Sequence, residues 1–415
     1  MREVGIEAIS AYCGEAFLEV SELFRHRGLD ARRMDNLLMR RKSVAMHCED
    51  AVSFAVNAAK PIIDALTEDE RQSIELLVVG TESGVDFGKS VSTYVADLLG
   101  LSRNCRLFEV KQACYSGTAG VQMAAAMVAA SSFEGVKALA IGTDVSRPVP
   151  HTYAEPSNGA GAVALLIGDQ PRVATFDQGA YGCYGYEVMD TFRPTPEAEA
   201  GDADLSLLTY IDCLQGAFKD YSRRVEGADL ASTFDLLAMH TPFPGMVKGA
   251  HRAVLRRLKQ LSMPELQTEF GQKVQPSLAF PSEVGNIYAG SVYLALASAI
   301  DNAVVDGERR IGLFSYGSGC ASEFFSVVID QASQSIVRAT GLREALAGRY
   351  PLSVEEYDEV LAATGKLTFG QSDLTLDLNK FAHVFERSQA RQPRLVLSQL
   401  SNYHREYVWL GGGQQ

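Results

Sequence analysis

The strongest constraint on the fold is an internal repeat. Short apolar runs bounded by Gly and Asp predict strands at Ile74 to Val79, Ala138 to Gly142 and Ala160 to Gly168, with a helix of small residues, Ser116 to Ala130, between the first two. The second half offers a strand at Phe234 to Met239, a small-residue helix at Ala289 to Ile300, then strands at Arg310 to Tyr316 and Ala321 to Ile329. Corresponding elements are about 160 to 175 residues apart, too far for a solenoid and right for a duplicated half-domain. The pattern predicts two pseudo-twofold halves, residues 1–170 and 171–415. Strands alternating with helices predict mixed or parallel sheets covered on both faces, so two sheets with a shared helical layer between them fit.

The helices after Cys114 and after Gly290 are crowded with Ala, Gly and Ser, which permits close approach and suits a buried middle layer. After Ser333 the chain turns polar, with an acidic helix-like stretch at Val354 to Thr364 and an added strand at Asp373 to Asp377. The terminal GGGQQ reads as a frayed end.

Composition removes several classes of function. With 415 residues, 47% hydrophobic and 21% charged, the chain is ample for a large buried core. A net charge of −13 opposes phosphate backbones and anionic membranes, so any anionic partner must find a local basic patch. The start, MREVGIEAIS, has no apolar h-region, and the longest apolar stretch, Gln122 to Ala130, is about half of a bilayer span. A cytoplasmic protein is expected. The cysteines (13, 48, 105, 114, 183, 213 and 320) are odd in number and dispersed, without metal-like spacing, which predicts a reducing compartment, mostly inert thiols and no metal site.

Three positions carry chemistry. Cys114, in KQACYSGTAGVQ, falls where a strand-like segment ends and a helix begins. The helix dipole and free amides there would lower a thiol's pKa, as a nucleophile requires. Gly117 and Gly120 allow either a ligand or another helix to come close. Glu82 follows the apolar run LLVVGTES, and His240 follows its counterpart LLAMH. The carboxyl ends of strands in α/β sheets are where ligands bind, and the repeat brings both residues near the pseudo-axis. Taken singly, Glu82 reads better as a helix-capping carboxylate and His240 better as a core histidine. Together with Cys114 they favour thioester chemistry: a thiol to hold an acyl group, a carboxylate to move the proton beside its carbonyl, and amide donors from Cys114 and the Ser315 to Gly319 loop for the enolate. GVDFGKS, Gly84 to Ser90, has only three residues between Gly84 and Gly88 where a phosphate-binding P-loop needs four, and no GxGxxG follows a strand.

The stretches GTESGVDFGKS, EVKQACYSGTAG, HTPF from His240, VGNIY from Val284 and FSYGSG from Phe314 resemble the hydroxymethylglutaryl synthase family of the thiolase superfamily, in family order. The resemblance implies an α/β fold of thiolase-like duplicated βαβαβ halves forming a layered α-β-α-β-α core, with Cys114 in the first half and His240 and the Gly-rich loop in the second. It further implies that Cys114 accepts the acyl group, Glu82 is the general acid/base, His240 binds the acceptor, and Asp86, Asp144, Asp190, Asn286 and Ser318 support them. NLLMRRKSVA, YGYEVMDT, GDADLSLL and PFPGMVKGAHR are most similar to the acyl-carrier-protein-dependent members that install β-branches in polyketides. For those the resemblance implies no bound cofactor, substrates carried on the phosphopantetheine of an acetyl donor ACP and an acceptor polyketide ACP, and a homodimer.

Two departures bear on the subtype. Gly245 stands where mevalonate-type enzymes, which use CoA, tend to have a lysine; the link from Asp144 to Gly159 is short, with Pro148 where those enzymes have a tyrosine. The HMG-CoA synthase of mevalonate synthesis is the alternative reading, and a non-catalytic subunit that binds acyl carriers is a third, disfavoured because a scaffold needs none of Cys114, Glu82 and His240. Carrier proteins are usually acidic, so docking needs a basic surface. In GMVKGAHRAVLRRLKQ, Lys248, Arg252, Arg256 and Lys259 fall on one helical stripe with Val247, Val254, Leu255 and Leu258 turned inward, and Arg32 and Arg33 offer a second edge.

Overall fold

The computed structural model describes residues 2–259, 261–389 and 392–411; the frayed end expected for GGGQQ lies, from residue 412 on, outside them. The first half runs β1 (Gly5–Tyr12), α1 (Ala51–Ala65), β2 (Ile74–Gly80), α2 (Val91–Leu98), β3 (Arg106–Val110), α3 (Ser116–Ala130), β4 (Lys137–Val145) and β5 (Ala160–Gly168). The second runs β6 (Ala174–Gly185), a hairpin of β7 (Thr191–Thr195) and β8 (Ala198–Gly201), α4 (Ala203–Arg224), β9 (Leu236–Met239), α5 (Pro244–Lys259), α6 (Ser291–Asn302), β10 (Arg309–Gly317) and β11 (Ala321–Ile329).

The strand order is β9-β10-β11-β6-β1-β5-β4-β2-β3. Read outward from the centre, both halves repeat one order, except that the second has no counterpart of β3. The two half-sheets are therefore not separate: β1 and β6 join them antiparallel through Gly5↔Thr175 and Ile6↔Ala174. A Cβ on Gly5 would stand 2.1 Å from the Ala174 carbonyl oxygen, so the seam needs glycine.

Alternation along the strands builds the layers. Leu76 and Val78 of β2 face a core shared with α3, α6, Leu236 and Ala238, while Leu77 and Val79 face α1 and α2. Likewise Leu237 and Met239 of β9 face α4 and α5. Helices α1/α2, one half-sheet, the α3/α6 layer, the other half-sheet and α4/α5 give the expected layered α-β-α-β-α core. Helix α1 starts with an Asp50–Ser53 capping box, and Asp202 caps α4 by accepting from the Asp204 and Leu205 amides.

The segment after β11 returns to the first half. Its helix Val354–Thr364 and a sheet of Leu374–Thr375, Arg394–Ser401 and His404–Leu410 bury Ala16, Leu18, Val44 and Met46. Asn57 of α1 bonds both the amide and the carbonyl of Leu395, at 2.9 and 3.0 Å. Among the described residues no helix is long and apolar enough to cross a membrane.

Candidate active site

Cys114 lies in the loop between β3 and α3, one residue after Ala113, whose φ of 43° is left-handed. The turn is held by close backbone packing that bridges the halves. A Cβ on Gly117 would meet the Ala289 carbonyl oxygen at 2.2 Å, one on Gly80 would meet Ser116 and Gly117 at 2.5 Å, and one on Gly142 would meet Ala289 at 2.6 Å. Gly117 thus serves packing, as does Gly120 against Val78. The Tyr115 hydroxyl donates to Glu323 of β11 at 2.7 Å, anchoring the loop to the second half. Tyr115 gives α3 no side-chain cap, so its first-turn amides find no such partner.

Glu82 follows β2, and its amide donates at 2.8 Å to Oδ1 of Asp144, which also accepts from Thr81 and Ser83; Oδ2 accepts from the Ala289 amide at 2.9 Å. This fully buried carboxylate links the β2 loop to the segment preceding α6. Glu82 Oε2 stands 4.0 Å from Cys114 Sγ, and Oε1 stands 3.0 Å from Arg193. Arg193 pairs also with Glu199 at 3.1 Å, and Glu199 accepts from the Tyr288 hydroxyl at 3.1 Å. Sequence reading missed Arg193 and Glu199, which sit in a polar hairpin without apolar periodicity; Tyr288 ends the VGNIY stretch, the one signal that pointed to it.

The electrostatics reverse one expectation. Burial, followed by the charges of Glu82, Asp144 and Glu199, pushes the Cys114 thiol well above its usual range, where the helix start alone was expected to lower it. Three carboxylates outweigh one arginine. Burial also pushes the Glu82 carboxyl up to about 8 against the pull of Arg193, with Asp144 and Glu199 adding to the rise.

His240 is buried at the end of β9. Its amide donates to the Phe314 carbonyl at 2.7 Å and its carbonyl accepts from Tyr210 at 2.8 Å. Burial lowers its pKa to about 3, so the ring is neutral, and Nδ1 has no hydrogen-bond partner among the described residues. The loop after β10 packs on the Cys114 loop, since a Cβ on Gly317 would meet Gln112 O at 2.4 Å and Tyr115 N at 2.6 Å. Asp190 holds that loop by accepting from the Tyr316 hydroxyl and, at 2.9 Å, from the Gly319 amide. The Gly319 amide is thereby engaged, leaving half-buried Ser318 at the tip. Asn286 Oδ1 accepts from the Tyr288 amide at 2.9 Å and the Ser291 hydroxyl at 3.0 Å, and its backbone clasps Ser157 and Gly159 of the short link. Asp86 is not brought to the thiol: it is exposed and caps the Gly88 and Lys89 amides.

On α5, Arg252 and Arg256 are exposed and make no ion pair among the described residues, while Lys248 lies 5.5 Å from the Phe270 ring centre and Lys259 pairs with Asp229. Val247, Val254 and Leu255 are buried as expected, but Leu258 is 49% exposed, because the helix's last turn runs past the core. Arg33 stacks 4.3 Å from the Tyr153 ring centre and Arg32 pairs with Asp30. The helix carrying both, Ala31–Leu37, touches the start of α5: a Cβ on Gly245 would stand 1.7 Å from the Asn36 carbonyl oxygen.

A layered, duplicated α/β core that brings a thiol, a carboxylate and neutral amide donors together at a strand-to-helix turn defines a thiolase-like acyltransferase that forms carbon–carbon bonds. Residues 1–172 match the family model of the hydroxymethylglutaryl-coenzyme A synthase N terminal region and residues 249–375 that of its C terminal region. The chain belongs to the hydroxymethylglutaryl synthase family. The polyketide biosynthesis 3-hydroxy-3-methylglutaryl-ACP synthase PksG of Bacillus subtilis is 49% identical, across 99% of this chain and 100% of the relative. A hydroxymethylglutaryl-CoA synthase of Enterococcus faecalis is 32% identical, across 87% of this chain and 92% of its own length. The HMG synthase of the curacin biosynthetic pathway, crystallised with acetyl donor-ACP, superposes with a TM-score of 0.96 at 51% identity, covering 99% of this chain and all of that one.

Proposed function

We propose that this enzyme is a cytoplasmic, carrier-protein-dependent hydroxymethylglutaryl synthase that installs a β-branch on a polyketide. The carrying observation is that identity to the ACP-type relative exceeds identity to the CoA-type relative by a wide margin over essentially the whole chain. Gly245 supports it physically, since the Ala31–Leu37 helix occupies the space a lysine side chain would need.

In this reading Cys114 takes an acetyl group from the phosphopantetheine thiol of the donor carrier, and the Cys114 proton leaves on that thiol. The 4.0 Å approach of Glu82 Oε2 to Sγ puts the carboxylate within reach of the methyl of an acetyl-Cys114. Glu82 takes a methyl proton, the enolate carbon bonds to the β-ketone carbon of the carrier-bound chain, and the ketone oxygen becomes a hydroxyl as Glu82 gives that proton back. Neutral His240 donates a hydrogen bond to that oxygen. Water then cleaves the Cys114 thioester and leaves a carboxylate. A homodimer is the proposed assembly; β3, the sheet's outer strand with Leu107 exposed, offers one unpaired edge for it.

The test is to offer acetyl-ACP and acetyl-CoA together, with distinct isotopes, and map the adduct by peptide mass. Label from acetyl-ACP on Cys114 is expected. Preferential label from CoA would return the enzyme to the mevalonate type, and label on Cys105 or Cys320 would sink the assignment of Cys114.

A further inference from the structure

Glu82 is gripped asymmetrically. Its amide is fixed by Asp144, but of its two carboxyl oxygens only Oε1 has a close cationic partner among the described residues, the Arg193 nitrogen at 3.0 Å. That same nitrogen contacts Glu199 Oε2 at 3.1 Å, and the Arg193 guanidinium lies 5.4 Å from the Tyr288 ring centre. Arg193 and Glu199 stand on opposite strands of the β7/β8 hairpin, and the turn of that hairpin is tied down separately, Glu197 accepting from the Phe369 amide at 2.8 Å. The arginine is therefore anchored from the hairpin, from Glu199 and from the Tyr288 segment at once.

We propose that Arg193 is a positioning residue for Glu82, binding Oε1 so that Oε2 alone faces the Cys114 thiol, with Glu199 and Tyr288 holding Arg193 in turn. The proposal rests on the reading of Glu82 as the proton-transferring group. Held by one oxygen, the carboxylate cannot rotate away from the acyl group, and its free oxygen keeps the lone pair that abstraction needs. A lysine would bring one charged nitrogen but not the second, Nη1, which in Arg193 reaches the Glu82 carbonyl oxygen and Ser83 Oγ at 3.5 Å.

The arginine also sets the proton affinity of the site. The groups facing Glu82 are Cys114 from the loop before α3, Asp144 from β4, Arg193 and Glu199 from the hairpin and Tyr288 from the segment before α6. Arg193 is the one cation among these, so removing it leaves Glu82 beside two uncompensated carboxylates, Asp144 and Glu199.

The experiment is single-turnover condensation from pre-acetylated enzyme over about pH 6 to about pH 10, comparing wild type with Arg193→Met, Arg193→Lys and Glu82→Gln, each checked for a wild-type melting transition and for acetyl loading by mass. Arg193→Met should load acetyl, condense at least about tenfold more slowly at neutral pH, and shift its pH midpoint upward by about one unit or more. Arg193→Lys should keep the midpoint near wild type yet stay slower. A wild-type midpoint in Arg193→Met, with activity lost only in proportion to misfolded protein, would overturn the proposal; so would a wild-type rate in Arg193→Lys, which decides the matter where Arg193→Met does not fold. Glu82→Gln keeps the claims apart. Wild-type condensation by that variant would remove the proton-transfer reading itself, whereas a dead Glu82→Gln beside an unshifted Arg193→Met removes the positioning claim alone.

Discussion

Cys114 Sγ and Glu82 Oε2 face one another across 4.0 Å at the junction of β2 and α3, and burial makes both groups hold their protons more tightly than in water. The site rests as a thiol beside a largely protonated carboxyl at neutral pH, unlike the thiolate of many cysteine nucleophiles. Iodoacetamide should therefore alkylate Cys114 at pH 7 more than about tenfold more slowly than free cysteine, with a rate still rising at pH 9. Glu82→Gln, which removes a neighbouring negative charge, should move that rise to lower pH. A plateau near pH 7, followed by peptide mapping, would contradict the buried-thiol picture.

In the proposed mechanism the steps served by Glu82 and His240 are separable. Glu82→Gln should accept acetyl from its donor and accumulate acetyl-enzyme, since the amide cannot take the methyl proton. If Glu82 acts as the carboxylate, as proposed, its pKa of about 8 means that single-turnover condensation should increase with pH, about tenfold per unit below that midpoint, and level off above it. His240→Ala should load acetyl normally and lose roughly 10²-fold or more in acceptor turnover, the cost of a lost oxyanion donor. Cys114→Ser should fold and not condense.

Much of this was legible in the chain because apolar runs set strand and helix limits: α3 and β11 fall on the expected residues, and β5 likewise. What escaped was set by contacts distant in sequence. The β7/β8 hairpin is short and polar, so nothing in its periodicity distinguished Arg193 or Glu199 from solvated charges. The direction of the Cys114 shift was misread because a local feature, the helix start, was weighed without the carboxylates that β2, β4 and β8 bring to it. The joining of the two half-sheets at Gly5 and Ala174 likewise depends on a close approach that no local pattern announces.

Buried histidines make the fold acid-labile. Burial lowers His240 to about 3 and His251 to about 4, so between about pH 4 and the unfolded value near 6.5 the unfolded chain binds protons the native one does not. Stability should rise with pH through that window and gain nothing further from these groups above it. His251 lies outside the site, against Phe270, so it isolates the effect. In His251→Asn the slope of unfolding free energy between pH 4.5 and 6 should be shallower by up to about 1.4 kcal/mol per pH unit, measured by denaturant titration. An unchanged slope would mean that His251 is protonated in the native state.

Gly245 is a packing requirement. With a Cβ 1.7 Å from the Asn36 carbonyl oxygen, Gly245→Lys must push the Ala31–Leu37 helix off α5. It should cost about 1 to 3 kcal/mol and should not improve acetyl transfer from CoA. A variant with wild-type stability and a faster CoA reaction would instead identify this single position as the donor switch.

Arg256 tests the proposed carrier-docking surface most cleanly. Of the four cations on the α5 stripe, Lys248 is committed to the Phe270 ring and Lys259 to Asp229, leaving Arg252 and Arg256 exposed and without ion pairs among the described residues. The α5 helix begins four residues after His240, and its first turn abuts the helix that carries Arg33. The two basic helices thus meet beside the end of β9, where an acidic carrier could hold a tethered acyl chain. On an enzyme of net charge −13 such a patch must overcome long-range repulsion, so its effect should fall in the association rate and weaken with salt. Arg256→Glu should slow acetyl transfer from the carrier protein, most strongly at low ionic strength, while transfer from acetyl-pantetheine is unchanged. Arg33→Glu should act in the same direction. Equal loss with both donors would mean that the reversal damaged the site itself, and no loss with either would make the stripe an ordinary solvated face.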